Sequence, residues 1–506
     1  MVSTLLKIVP SALVASIAWS IIRSLIFPSP LDKIPGPAAN SFVAGHFPEM
    51  FIPDGWDFHR KLVEKYGRVI RLYGIFRARI LYIHDPKALH HIFVKDQHIF
   101  EEAEGLLAQN KAIFGNGLFS TLGETHKKQR KMLNPVFSIK QMKTMIPTFF
   151  SVTYNLRDVF LRKTSDGPQE IDMVTWMTRV ALEIVARAGL GQSFDPVTEA
   201  TNEHPYISAM KLIGKSLHKM RDLVDVMQET SVKIFESKKK ALVENGSEES
   251  QKDFLSILMR ENAKASEEDK LPDDQVVAQI STLMFAAMDT TSSALSRILS
   301  LLAKHPEVQD KLRAEIREAK QTFGGEPDYD QLSSLAYLDA VIRETMRLHP
   351  PLPSLPREAR KDAVLPFSKP IKTVDGKEIT EVLVPEGTLL IVSIKAINTD
   401  PELWGPDARE WKPERWLAPP REALVDAHLP GVYSNLMTFI GGGRACIGFK
   451  FSEMEMKAIL YVIVDRFKFG LPKEKIFWNM LGIATPYVTI EDVRPALPMI
   501  VSRAED

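Results

Sequence analysis

Phe439-Ile440-Gly441-Gly442-Gly443-Arg444-Ala445-Cys446-Ile447-Gly448 is the stretch on which the reading of this chain turns. Cys446 is the single cysteine among 506 residues, so it has no intrachain partner for a disulfide. A glycine-rich turn presents it, Arg444 stands two residues before it, and a long amphipathic stretch, Phe449 to Phe467, follows. Glycines let a backbone pass close to a flat cofactor and aim amide N–H groups at a sulfur. The start of the following helix adds positive potential, which lowers a thiol pKa. Arg444 is placed to meet an anionic group of the same cofactor. These features suit a thiolate held as a metal ligand. The bland alternative is a small buried hydrophobe, the ordinary fate of a free cysteine.

The spacing F-x-x-G-x-R-x-C-x-G, carried by Phe439, Gly442, Arg444, Cys446 and Gly448, resembles the haem-binding signature of the cytochromes P-450, the haem-thiolate monooxygenases. The resemblance implies haem b (iron protoporphyrin IX) as cofactor, with Cys446 as the axial ligand to iron. It also implies the fold of that family: mainly α with a small β portion, preceded by one N-terminal transmembrane helix.

Hydrophobic residues at 45% and charged residues at 25% are ordinary for a globular protein with a sizeable core. A formal net charge of zero gives no bulk attraction to nucleic acid or acidic membranes, and no nucleic-acid partner is expected. One cysteine excludes a disulfide framework and fits a reducing compartment. Ile8 to Phe27 reads IVPSALVASIAWSIIRSLIF, about long enough to span a bilayer as a helix, although Pro10 interrupts its first turn and Arg23 must snorkel. A cleaved signal peptide is the alternative. Phe27-Pro28-Ser29-Pro30 and Ile34-Pro35-Gly36-Pro37 then break the helix and make a stiff connector. The expected organisation is a membrane anchor at 1–27, a proline-rich hinge at 28–38 and one catalytic domain at 39–506. This hinge looks like that of microsomal members of the family, which implies a single-pass protein of the endoplasmic reticulum membrane with a cytosolic catalytic domain.

Arg68 to His84 reads as a hairpin about Gly74 that begins a small sheet. Asp273 to Ala303 is the best single helix, opening at Pro272-Asp273-Asp274 and closing before His305-Pro306. It is apolar on most faces through its middle, as a helix running through a core must be. Helices follow at Pro306 to Thr322 and at Leu335 to Leu348, and short strands at Val382 to Val392.

The middle of the long helix carries Phe285-Ala286-Ala287-Met288-Asp289-Thr290-Thr291. A carboxylate beside a hydroxyl is expensive to bury without a purpose. Threonine can turn its hydroxyl onto the backbone and bend the helix, or simply back-bond and pack. The stretch is similar to the family's [A/G]-G-x-[D/E]-T-[T/S] motif, with Ala287 where glycine is usual. The resemblance implies that Asp289 and Thr290 deliver protons to dioxygen. Glu344 and Arg347 lie on one helical face, a spacing that most often makes a surface ion pair. With Pro413-Glu414-Arg415-Trp416 they resemble the family's buried Glu–Arg–Arg network of Glu344, Arg347 and Arg415, which fixes the cysteine loop. The resemblance also implies three propionate partners besides Arg444. Two are His126 and Arg130, which align with W-x-x-x-R with histidine in place of tryptophan. The third is Arg357.

Lys127, Lys128 and Lys131 form a basic run that by default faces solvent. With Lys450 they become docking candidates for an acidic flavoprotein. The glycines at 441–443 do not continue into a dinucleotide fingerprint, and no P-loop is visible, so electrons must come from another protein. The family's partners are NADPH–cytochrome P-450 reductase and cytochrome b5. Asn398-Thr399-Asp400-Pro401-Glu402-Leu403-Trp404-Gly405-Pro406 looks like fungal members. The reading is a microsomal haem-thiolate monooxygenase that inserts one oxygen atom of O2 into a lipophilic substrate: a terpenoid or triterpenoid, a sterol, a fatty acid or an aromatic xenobiotic. Segments 100–118, 280–287, 352–355 and 481–485 are expected to line its pocket. Two alternatives remain open: a haem-thiolate isomerase or dehydratase acting on peroxides without a reductase, and a non-catalytic haem sensor or carrier.

Overall fold

Hydrophobic, β-branched residues on either side of Gly74 pair as strands Val69–Tyr73 and Arg79–Ile83, in register Val69 with Ile83, as the sequence predicts. In the computed structural model, which describes residues 28–199, 204–206, 209, 220–244, 253–492 and 494–505, this hairpin starts a five-stranded sheet. Leu389–Ser393 joins the hairpin in parallel, Ser354–Ala359 pairs with it antiparallel, and Phe100–Glu101 closes the far edge. A three-stranded sheet (Gln169–Asp172, Pro498–Arg503, Phe467–Gly470) and two hairpins complete the β portion. The rest is mainly helical.

The core helix runs unbroken from Asp273 to Lys304, 32 residues, and by its rise is about 48 Å long. Two acids in its first turn and a lysine in its last suit the macrodipole, and Pro306 starts the next helix, Pro306–Phe323. It packs against Met173–Leu190, itself buried along most of its length. The cysteine helix, Phe449–Arg466, corrects one expectation. It is not amphipathic: Phe451 and the whole run Met454–Asp465 are buried. Its charged residues are inside because they are paired or enclosed; Lys457, 1% exposed, meets Asp339 at 2.8 Å and Glu453 at 3.0 Å. Phe451 stacks edge-on against Phe149 of the helix Ile139–Lys163.

Within the expected stiff hinge at 28–38 the chain is docked from Pro30 onward. Pro30–Lys33 forms a capped 3-10 turn, Leu31 and Ile34 enter the core, and Pro35 accepts a hydrogen bond from the Arg71 amide. The expected anchor at 1–27 lies outside the described residues; among those described, no helix is long and apolar enough to cross a membrane.

Candidate haem site

Two close backbone approaches shape the cysteine loop. Gly442 has φ +70°, and a Cβ there would lie 1.8 Å from the Phe93 carbonyl oxygen. A Cβ on Gly441 would lie 1.8 Å from that of Pro430. Only glycine lets the loop wedge between these two carbonyls. The Gly443 amide then donates to Gln97 Oε1 at 2.8 Å, and the Cys446 amide donates to the Phe439 carbonyl at 2.9 Å. Phe439 packs edge-on against Tyr433 and beside Phe449. Gly448 caps the cysteine helix, and its N–H faces the Cys446 sulfur.

Cys446 retains accessible surface, yet burial is the largest influence on its titration. The two together mean that its surface opens on an enclosed space and not on bulk water. The expected lowering of the thiol pKa does not win. Burial pushes it up, and the Gly448 N–H and the Arg130 charge offset only part of that. A bound cation is what deprotonates such a thiol outright.

Four basic groups gather here, Arg444 in the cysteine loop and three about it. Arg130 donates to the Ala445 carbonyl at 2.5 Å, from the helix Gly123–Leu133. Arg444 reaches the Thr121 carbonyl at 2.8 Å and Glu101 at 3.2 Å. Arg357 pairs with Glu102 at 3.1 Å over the ring of Phe93. His126 is buried and held neutral, its pKa pushed down to about 3 by burial and by the charges of Arg444 and Arg130. Cations therefore exceed anions in this recess, and the buried Arg444 Nε has no partner. An unfilled donor among converging guanidiniums, next to an enclosed thiol, fits a porphyrin that carries two carboxylates.

The network that sequence spacing assigns to Glu344, Arg347 and Arg415 is brought together, and Glu344 and Arg347 are fully enclosed. Arg347 chelates Glu344 through two 2.8 Å bonds and donates to the carbonyls of Asn398, Ala408 and Glu410. Arg415 reaches Glu344 at 3.3 Å and Asp407 at 3.0 Å. Residues that sequence reasoning missed complete it. Trp416 Nε1 donates to Glu344 at 3.0 Å, and the Asn398 side chain bonds Thr438 and the Met437 amide. Thr438 in turn bonds the Met346 carbonyl, so the network grips the chain just before Phe439. Asn398 carried a signal, since it opens the fungal-looking stretch; Gln97, Glu101 and Glu102 carried none.

On the core helix, Phe285, Ala286, Ala287, Asp289 and Thr290 keep accessible surface, while Met284, Met288 and the run Thr291–Ala303 are buried. A window of surface in the middle of a buried helix lines an internal space. The Thr290 hydroxyl donates to the Ala286 carbonyl at 2.8 Å, the ordinary helical back-bond, and the helix is not interrupted there. Of the expected pocket segments, 100–118 meets 280–287 at this window, and 481–485 is tied to the same helix further along and to Pro351, next to 352–355. Phe114 touches Phe285 at 5.1 Å, the Gly117 backbone lies against Thr282, and Ala484 bonds both Ser293 and Pro351. Of the expected docking lysines, Lys127 and Lys131 are exposed but paired with Glu124 and Asp269, Lys128 meets the Glu268 carbonyl, and Lys450 lies over the Phe449 ring.

A mainly helical fold, an enclosed lone thiol in a glycine-clamped loop and a cationic recess beside it define a haem-thiolate enzyme. The model of the cytochrome P-450 family matches residues 35–487, and the chain belongs to that family. It is 44% identical to cytochrome P-450 monooxygenase 91 of Postia placenta, over 99% of this chain and all of that one. It is 39% identical to a ganoderic acid synthetase of Ganoderma lucidum over 97% of each, and 35% to a monooxygenase of Hericium erinaceus over 96% of each. The protein is an oxidoreductase of the monooxygenase type whose cofactor is haem b.

Proposed function

We propose that this enzyme inserts one oxygen atom of O2 into a lipophilic substrate, using electrons that pass from NADPH through a separate reductase, with cytochrome b5 as a second donor. The observation that carries the reading is the window of accessible surface around Asp289 and Thr290 in an otherwise buried helix. A peroxide isomerase or a haem carrier has no need of an acid–alcohol pair there. Haem held by Cys446 would supply dioxygen activation. Thr290 turns its hydroxyl from the Ala286 carbonyl toward the cavity to donate a proton, and Asp289 replaces it. Arg130, Arg357, Arg444 and His126 hold the propionates, and Phe439, Gly442 and Gly448 shape the loop around the sulfur. The mostly aliphatic pocket segments hold the substrate by burial. The name of the Ganoderma relative supports the triterpenoid class among the lipophilic candidates. Lys127, Lys128, Lys131 and Lys450 form the reductase-facing surface, and residues 1–27 anchor the enzyme in the endoplasmic reticulum membrane.

Reconstitution with NADPH, reductase and a lipophilic panel tests this reading. Oxygenated product that depends on NADPH is expected, and conversion of peroxides alone would replace the reading with an isomerase. Thr290→Ala should raise peroxide released per NADPH consumed; unchanged coupling removes Thr290 from the relay. Deleting residues 1–27 should move the protein out of the membrane fraction with its haem spectrum intact.

A further inference from the structure

Arg297 lies seven residues after Thr290 and seven before Lys304, so all three share one stripe of the core helix. It is 9% exposed, and among the described residues its guanidinium makes no hydrogen bond and no ion pair. It lies against the face of Trp478, 3.3 Å from Cζ to the ring centroid. Two more basic side chains approach from outside the helix. His349 follows the C-terminus of the helix Ala336–Leu348, and Lys395 donates to the Leu348 carbonyl. Both keep accessible surface, yet burial is the largest influence on each. As at Cys446, that combination describes an internal space. His349 is held well below the ordinary imidazole range, and Lys395 is pushed down to about 7. After burial, the charges acting on them are all cationic: Arg297, Lys395, Lys304, Arg347 and Arg409. Arg347 and Arg409 have their own carboxylates, Glu344 and Glu64, whereas among the described residues no carboxylate pairs with Arg297, His349 or Lys395.

Lys395 and His349 have partial remedies. They sit at a helix C-terminus, whose carbonyls favour cations, and each can shed its proton. Arg297 has neither remedy. It lies two turns inside its helix, and a guanidinium stays protonated in proteins. An indole face offsets only part of what a desolvated cation loses.

We propose that Arg297, His349 and Lys395 form an internal site for a small anion, of the size of a halide or a simple carboxylate, which enters past the exposed Lys304. The site lies behind the hairpin Phe477–Asn479/Thr485–Tyr487, to which Trp478 belongs. The same hairpin is tied to the core helix through Ser293 and Ala484, and to Pro351 through the Ala484 amide at 2.8 Å. An anion bound here steadies the seat of a segment that walls the substrate pocket, at a place distinct from the propionate recess.

Soaking crystals of the haem-loaded protein in sodium bromide and mapping anomalous scattering tests the site directly. A bromide in contact with the Arg297 guanidinium is expected. In solution, the thermal midpoint should rise by several degrees in sodium bromide or sodium acetate over sodium HEPES at equal ionic strength, because the HEPES anion is too large to enter. Arg297→Met should abolish both effects and leave the reduced carbon monoxide spectrum unchanged. Bromide bound at surface positions but absent beside Arg297 overturns the proposal, as does an anion-specific shift that persists in Arg297→Met. The wild-type map decides alone if the variant does not load haem.

Discussion

Arg444 offers the recess a buried Nε with no protein partner in addition to its ties to Glu101 and Thr121. Arg444→Gln removes a charged hydrogen bond of about 1.5–3 kcal/mol, so haem should transfer to an apo-protein scavenger roughly 10- to 100-fold faster. Cys446→Ser should abolish the far red-shifted carbon monoxide band of the reduced protein, since an alcohol does not replace a thiolate on iron. His126 sets a pH window. Its ordinary pKa of 6.5 falls to about 3 because burial, then Arg444 and Arg130, oppose the charged form. Between those values the unfolded chain binds a proton that the native chain does not. The stability His126 contributes is therefore complete above pH 6.5 and is lost as pH falls toward 3. At about 1.4 kcal/mol per pKa unit the loss reaches a few kcal/mol. Urea unfolding across that range should show a shallower slope in His126→Gln. Part of the slope should remain, because burial also pushes His84 down to about 4.

At the scale of elements, the helix Ala336–Leu348 controls the cysteine loop through Arg347, Asn398 and Thr438. Glu344→Gln leaves the fully buried Arg347 guanidinium without its counter-charge and takes one of two from the part-buried Arg415. It should cost about 3–5 kcal/mol, seen as a lower denaturation midpoint and poor haem retention. Gly442→Ala should load little haem, because its φ is +70° and its Cβ would strike the Phe93 carbonyl. These elements differ in how plainly the sequence announces them. Pro272 and the His305-Pro306 pair bracket the core helix almost to the residue, because proline and first-turn acids act locally. The cysteine helix misleads for the opposite reason. Its scattered charges read as those of an amphipathic helix, whereas Lys457 is paired inside and Glu455 is enclosed by neighbouring elements.

Across the whole molecule the site is assembled from distant parts: Arg130 grips Ala445, and Arg444 grips Glu101. Such non-local closure means that the free protein should be markedly less stable than the haem-loaded one. Binding at a thousandfold excess over Kd contributes about 4 kcal/mol, which calorimetry of the two forms checks. The sequence by itself determined the family and the makers of the Glu–Arg–Arg network and put Cys446 forward as the iron ligand, since each rests on a short motif whose chemistry is written in adjacent residues. It also determined the core helix, whose start and stop signals are local. Only the tertiary structure decided that burial opposes ionisation of the thiol, that Gln97, Glu101 and Asn398 serve the loop, and that Arg297, His349 and Lys395 have no acid partner among the described residues. Those outcomes depend on burial and on partners hundreds of residues apart, and both come into being only when the chain has folded.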